Sequence, residues 1–128
     1  MSPASSSRAP SGPQVQVFGT EDSAATRAAL RFFKERRIPV HLVELRRKPM
    51  AAGELRRFVD RLGPAALVDR DGRPWRDGGF AHLRMDDAEL ADRLLLDQRL
   101  LRLPLVRVGN GVAAGRDEVA WKRLLEGA

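Results

Sequence analysis

Ser23 is the residue whose surroundings could make it reactive. It lies in the stretch Val15 to Arg27, where a short apolar alternation, Val15 to Phe18, is followed by Gly19, then Thr20-Glu21-Asp22-Ser23, then an amphipathic run. That order reads as strand, loop and helix. The first N–H groups of such a helix point into the loop, and the helix dipole favours negative charge there, so a nucleophile or a bound oxyanion would sit at this place. A serine hydroxyl needs an adjacent base to attack anything. The two histidines, His41 and His82, stand in no recognisable nucleophile–base spacing and have no metal-ligand partners around them. The same position favours a helix cap, and Thr20, Asp22 and Ser23 can all cap. Glu21 and Asp22 add negative potential that opposes an ionised nucleophile or a bound anion.

The chain contains no cysteine. This excludes disulfides, thiolate metal sites and a thiol redox cycle carried by this chain alone. No phosphate-binding loop or dinucleotide motif appears.

The elements that must position Ser23 follow from periodicity. Residues 1–14 are rich in Ser, Pro and Ala and carry almost no apolar bulk, so they are expected to be a disordered tail. The rest, 15–128, is long enough for one domain with a single core. The first helix is expected to run to about Arg37, with Ala25, Ala29, Phe32, Phe33 and Arg36 on one stripe, and to end at Ile38-Pro39. Val40 to Leu45 reads as a second strand, parallel to the first because a helix joins them. The basic cluster Arg46-Arg47-Lys48 follows. Ala51 to Leu62 is expected as a helix closed by Gly63-Pro64, and Met85 to Glu89 as the cap of a third. Asp71-Gly72 marks a turn, and Trp75 reads as a lid or core anchor. Val106 to Val108 and Val112 to Ala114 flank an Asn110-Gly111 pair that favours a tight hairpin. A last helix capped by Asp117 is expected to carry Val119, Trp121, Leu124 and Leu125 to the core.

Phe18-Gly19-Thr20, Ser23, Thr26-Arg27 and Arg31 to Ile38 resemble the start of the arsenate reductase (ArsC) family, with its Spx and YffB relatives. Leu62-Gly63 resembles the family's Leu-Gly step. Leu67, Val68, Asp69, Arg70, Gly72, Trp75 and Arg76 keep the spacing of its middle segment, and Leu100 to Arg107 resembles its Leu-Ile-x-x-Pro-x-Val stretch. The resemblance implies an α/β thioredoxin-like fold of glutaredoxin type. It has a mixed four-stranded sheet with two parallel N-terminal strands, a C-terminal antiparallel hairpin, flanking helices and a helical insertion. It also implies that Ser23 occupies the place of the family's catalytic cysteine, and that Pro104 is cis and faces the nucleophile loop. Arg70 is implied near the cleft, and Arg116 matches a second oxyanion arginine. The family often has Arg directly before the proline; here that residue is Leu103, and Arg102 lies one position off, on the opposite face of a strand. Ligand-binding candidates on this basis are Thr20, Arg27, Arg70, Arg102, Pro104 and Arg116.

The net charge of +6 and pI near 11.1 suit acidic partners. No apolar run approaches the roughly 20 residues of a membrane span, and a cytoplasmic location is expected. The basic residues are dispersed and no aromatic stacking platform accompanies them, which disfavours nucleic acid. Two readings remain. One is a non-redox binding or regulatory member, with no cofactor, that contacts a protein partner through its basic surfaces. The other is a glutathione-dependent reductase relative, acting on an oxyanion, in which Ser23 stands in place of a native thiol or selenol.

Overall fold

The structure is a computed structural model that describes residues 14–127. The expected tail, apart from Gln14, lies outside the described residues. Nine elements carry the fold: β1 Val15–Gly19, α1 Ala24–Glu35, β2 Val40–Glu44, α2 Ala52–Leu62, α3 Arg73–Asp77, α4 Asp87–Leu96, β3 Leu105–Val108, β4 Gly111–Ala114 and α5 Glu118–Glu126. The strands form one sheet in the order β2-β1-β3-β4. β1 runs parallel to β2, with Val17 opposite Leu42, and antiparallel to β3, with Val17 opposite Val106. β3 and β4 pair as the C-terminal hairpin. This is the sheet that the resemblance implies.

Side chains on a strand alternate between the two faces, and each face here has its own core. Val15, Val17, Phe33, Val106 and Trp121 pack between the sheet and helices α1 and α5. Phe18, Leu55, Phe58, Leu94 and Leu105 pack on the other face, with α2 and α4. β1 is covered on both sides, which is why it reads as a nearly unbroken apolar run.

The stretch between α2 and β3 is the helical insertion. Pro64–Leu67, Phe80–His82 and Gln98–Leu100 form single 3₁₀ turns, and α4 opens with a capping box in which Glu89 N–H donates to Asp86 at 2.8 Å and Asp86 N–H to Glu89 at 3.1 Å. Backbone bonds from Arg102 to Leu67 (2.7 Å) and from Asp69 to Leu100 (2.9 Å) tie the insertion to the chain entering β3. Trp75 is a core anchor: it stacks on Phe80 at 5.1 Å, with the Arg70 guanidinium 5.0 Å above its ring.

Two expectations need correction. Val119 is 67% exposed. At about 100° per residue it lies some 200° around α5 from Trp121, so one helix face cannot bury both. The hairpin turn is centred on Gly109-Asn110, since Val108 pairs with Gly111. Gly109 supplies the left-handed conformation (φ 59°), the arrangement in which glycine leads the pair.

α1 ends in a Schellman motif: Ile38 N–H donates to Phe33 O (3.0 Å) and Arg37 N–H to Lys34 O (2.9 Å). That motif needs a left-handed residue, and the one present is Arg37, with φ 59°. Glycine adopts this conformation without a Cβ clash, so Arg37→Gly is expected to stabilise the fold by about 0.5–1 kcal/mol. A urea midpoint that stays the same or falls would contradict this.

Candidate functional site

The loop from Thr20 to Ser23 sits where β1 hands over to α1. Gly19 lies so close to α1 that a Cβ there would collide with the Thr26 side chain, which is fully buried. This contact brings the start of α1 down onto the end of the strand. Ser23 is the N-cap: its Oγ accepts the Thr26 N–H at 3.1 Å, while its own N–H donates to Thr20 O at 3.1 Å. The hydroxyl therefore already satisfies one of the donors that a bound anion would use.

A carboxylate of the chain completes the loop. The Glu44 carboxylate, at the end of β2, accepts the N–H of Glu21 at 2.8 Å and that of Arg46 at 3.0 Å. Asp22 pairs with Arg46 and is hydrogen-bonded by the Thr20 hydroxyl. Arg27 donates to the Glu21 carbonyl at 2.9 Å, and Arg47 approaches the Glu21 carboxylate at 4.0 Å. Three carboxylates and three guanidinium groups thus interlock around the start of α1. The Thr20 hydrogen bond, then Arg46, holds the Asp22 carboxyl below its ordinary 3.8. The N–H groups of Arg46 and Glu21 hold Glu44 below its ordinary 4.5.

Both shifts are depressions, so the loop contributes its stability above these ordinary values and loses it as pH falls through the lowered ones. The Glu21 and Arg46 amide resonances are expected to titrate together with a midpoint below 4.5. Separate midpoints, or one above that value, would mean that Glu44 does not bridge them.

Beside this loop opens a cleft of about 650 Å³. Thr20, Leu45 and Arg46 form one wall; Leu95, Leu96 and Arg99 from the insertion form another, and Leu103 stands at the entry to β3. The Leu103–Pro104 peptide is cis, as the resemblance implies. The Pro104 carbonyl is not free, because it accepts the Gly115 N–H at 2.8 Å. Gln98 fixes the walls: its side-chain amide accepts the Met50 N–H at 2.8 Å and donates to Met50 O at 2.7 Å.

A family model matches residues 18–124, and it is that of the ArsC family. The chain belongs to the ArsC family. Solved structures agree on the fold. A protein titled YFFB superposes with a TM-score of 0.79 at 16% identity, covering 88% of this chain and 99% of its own. An ArsC family related protein from Bacteroides fragilis gives 0.78 at 16% identity, covering 87% and 97%. An arsenate reductase from Vibrio cholerae gives 0.73 at 16% identity, covering 90% and 98%. At such identity these likenesses establish the thioredoxin-like fold alone. No curated protein matches the chain.

Within this ArsC-family domain the candidate residues fall in different places. Thr20 lines the cleft, Ser23 caps α1, and Pro104 follows the cleft residue Leu103. Arg27 is spent on the loop. Arg70 lies over Trp75, and the Arg102 guanidinium fills the space where Gly115 lacks a Cβ. Arg116 faces α1, in a small hollow with Arg31 and Arg36. None of these last three lines the cleft. The basic residues that do are Arg46, bound to Asp22, and Arg99, which makes hydrogen bonds of 2.9 and 2.8 Å to Asp97. Those bonds hold the Asp97 carboxyl below its ordinary 3.8. Arg99 and Gln98 were invisible to motif reading, since their roles depend on a 3₁₀ turn that brings α4 back to the loop. Among the described residues no group of His, Cys, Asp and Glu side chains could hold a metal, and no helix is long and apolar enough to cross a membrane.

Proposed function

We propose that this ArsC-family chain acts in the cytoplasm by binding a protein partner through its basic surface, without thiol redox chemistry and without a cofactor. One observation carries the reading. At the start of α1, where a thiolate or oxyanion would be stabilised, the chain's own groups already take up donors: Ser23 Oγ accepts the Thr26 N–H, and in the preceding loop Glu44 accepts the Glu21 N–H. The absence of any cysteine supports it, as does Leu103 at the cleft wall, where an anionic substrate meets a hydrocarbon side chain instead of a donor.

The test is an arsenate reduction assay on the unaltered chain, coupled through glutathione, glutaredoxin and NADPH. No NADPH consumption above the protein-free blank is expected. Consumption proportional to protein concentration would overturn the proposal. If Ser23→Cys reduces arsenate with glutathione, the glutathione-dependent reductase reading takes its place.

A further inference from the structure

β2 is an edge of the sheet, and its outward pattern can be read from one bond. Leu45 N–H donates to Gly19 O at 2.9 Å. In a parallel ladder alternate residues turn both backbone groups to the same neighbour, so Val43 and His41 face β1 as Leu45 does. Val40 and Leu42 therefore present N–H and C=O outward, and Glu44 its N–H. The Glu44 carbonyl is already used, accepting the N–H groups of Arg47 and Lys48 at 3.0 Å each. The open edge is thus bounded by Pro39, which has no N–H, and by Glu44. Within Val40–Glu44 there is no lysine, proline or bulge of the kind that blunts exposed edges.

The surface beside this edge is apolar with a basic rim. A hollow of about 370 Å³ is lined by Leu30, Ile38 and Val40, with Pro39, Lys34 and Arg37 around them. Val40 and Leu42 turn their side chains to this face, where α1 lies. Lys34 and Arg37 are exposed, and no ion pair among the described residues involves either. Arg46, Arg47 and Lys48 follow the other end of the strand. Arg37 holds its place in the left-handed conformation that favours glycine.

We propose that the β2 edge takes an extended acidic segment of a partner protein as an added strand. Apolar residues of that segment seat against Leu30 and Ile38, and its carboxylates meet Lys34 and Arg37 at one end and Lys48 at the other. The proposal rests on the binding reading above and names its surface. Alternating N–H and C=O groups match a peptide backbone, whereas phosphates accept hydrogen bonds only, so a polypeptide fits better than a nucleic acid. A second copy fits poorly. Antiparallel pairing of two β2 strands about Leu42 would set Lys34 and Arg37 of one copy toward the end of the other where Glu21, Asp22 and Glu44 are already partnered, so they would gain no free carboxylate, in a chain already at +6.

The test is an amide NMR titration of the full chain with the capped peptide Asp-Glu-Val-Ser-Val-Glu-Asp, whose valines and terminal aspartates share one face of a strand, and with its counterpart carrying lysine at each acidic place. With the acidic peptide, saturable shifts and slowed hydrogen exchange are expected at Val40, Leu42 and Glu44. Thr20 to Ala24 should stay unmoved. Lys34→Glu and Arg37→Gly should each weaken binding about threefold or more, in line with surface charge pairs. Arg37→Gly also relieves the backbone, so its loss of binding cannot come from unfolding. An equal response to the lysine peptide, shifts confined to the cleft, or no shift at any concentration would overturn the proposal. So would a doubling of mass that protects the same amides without peptide. Reductase turnover with intact edge binding would sink the functional reading alone.

Discussion

Ser23→Cys is expected to give a thiol that is not markedly acidified and a protein that still does not reduce arsenate. A cysteine at a helix N-terminus beside free cations has its pKa lowered well into the range below 7.5. Here the helix dipole and the Thr26 N–H act in that direction. Glu21 and Asp22, in the same loop, act against it, and the nearest cations are committed: Arg46 to Asp22 and Arg27 to the Glu21 carbonyl. An incoming arsenate would also meet Leu103, with Arg102 held against Gly115 and Arg116 on the flank of α1. The rate of alkylation by iodoacetamide as a function of pH measures the thiol directly. A midpoint below about 6.5 would mean that the loop still works as a thiolate site.

Trp121→Ala is expected to have the largest effect on stability. The indole is fully buried, 5.4 Å from the Phe32 ring and 6.3 Å from that of Phe33, and it joins α5 to α1 beneath the sheet. Truncating such a side chain costs about 3–5 kcal/mol, against a total of roughly 5–15 kcal/mol for a domain of ordinary stability. Urea unfolding should therefore show a large fall in midpoint, and a change under about 1 kcal/mol would contradict the packing described. Trp121→Phe keeps most of the contact. It also removes a buried Nε1–H for which no hydrogen-bond partner is found among the described residues, so its cost should be far smaller.

The architecture was legible because its signals are local. Val15 to Phe18, the capped α1, the Asp86–Glu89 box and the hairpin, though not the residue pair at its turn, each announce themselves within a few residues, and the order of elements then sets the sheet. Val119 misled because its hydrophobicity was counted without its angle around the helix. The site was half legible. Ser23 as cap and Thr20 at the cleft follow from adjacent residues. The bridging role of Glu44 joins the ends of two strands 23 residues apart from Glu21, and Gln98 clamps Met50 across 48 residues. Neither separation leaves a pattern in the sequence. The arginines show the same limit: charge could be counted from the sequence, but which guanidinium faces the cleft depends on turns such as Gln98–Leu100 and on the space left by Gly115.

The start of α1 is engaged by the protein's own Ser23 and, in the loop before it, Glu44, and on the reading proposed above it takes no external anion. This is tested most directly by following the amides of Thr20 to Ala24 and of Leu103 and Leu105 by NMR while adding glutathione, then arsenate. Concentrations of roughly 10 mM would fill any site with a millimolar dissociation constant. No saturable shift is expected in either segment with either ligand. Saturable shifts confined to those two segments would contradict it and show a cleft that still binds the ligands of a reductase.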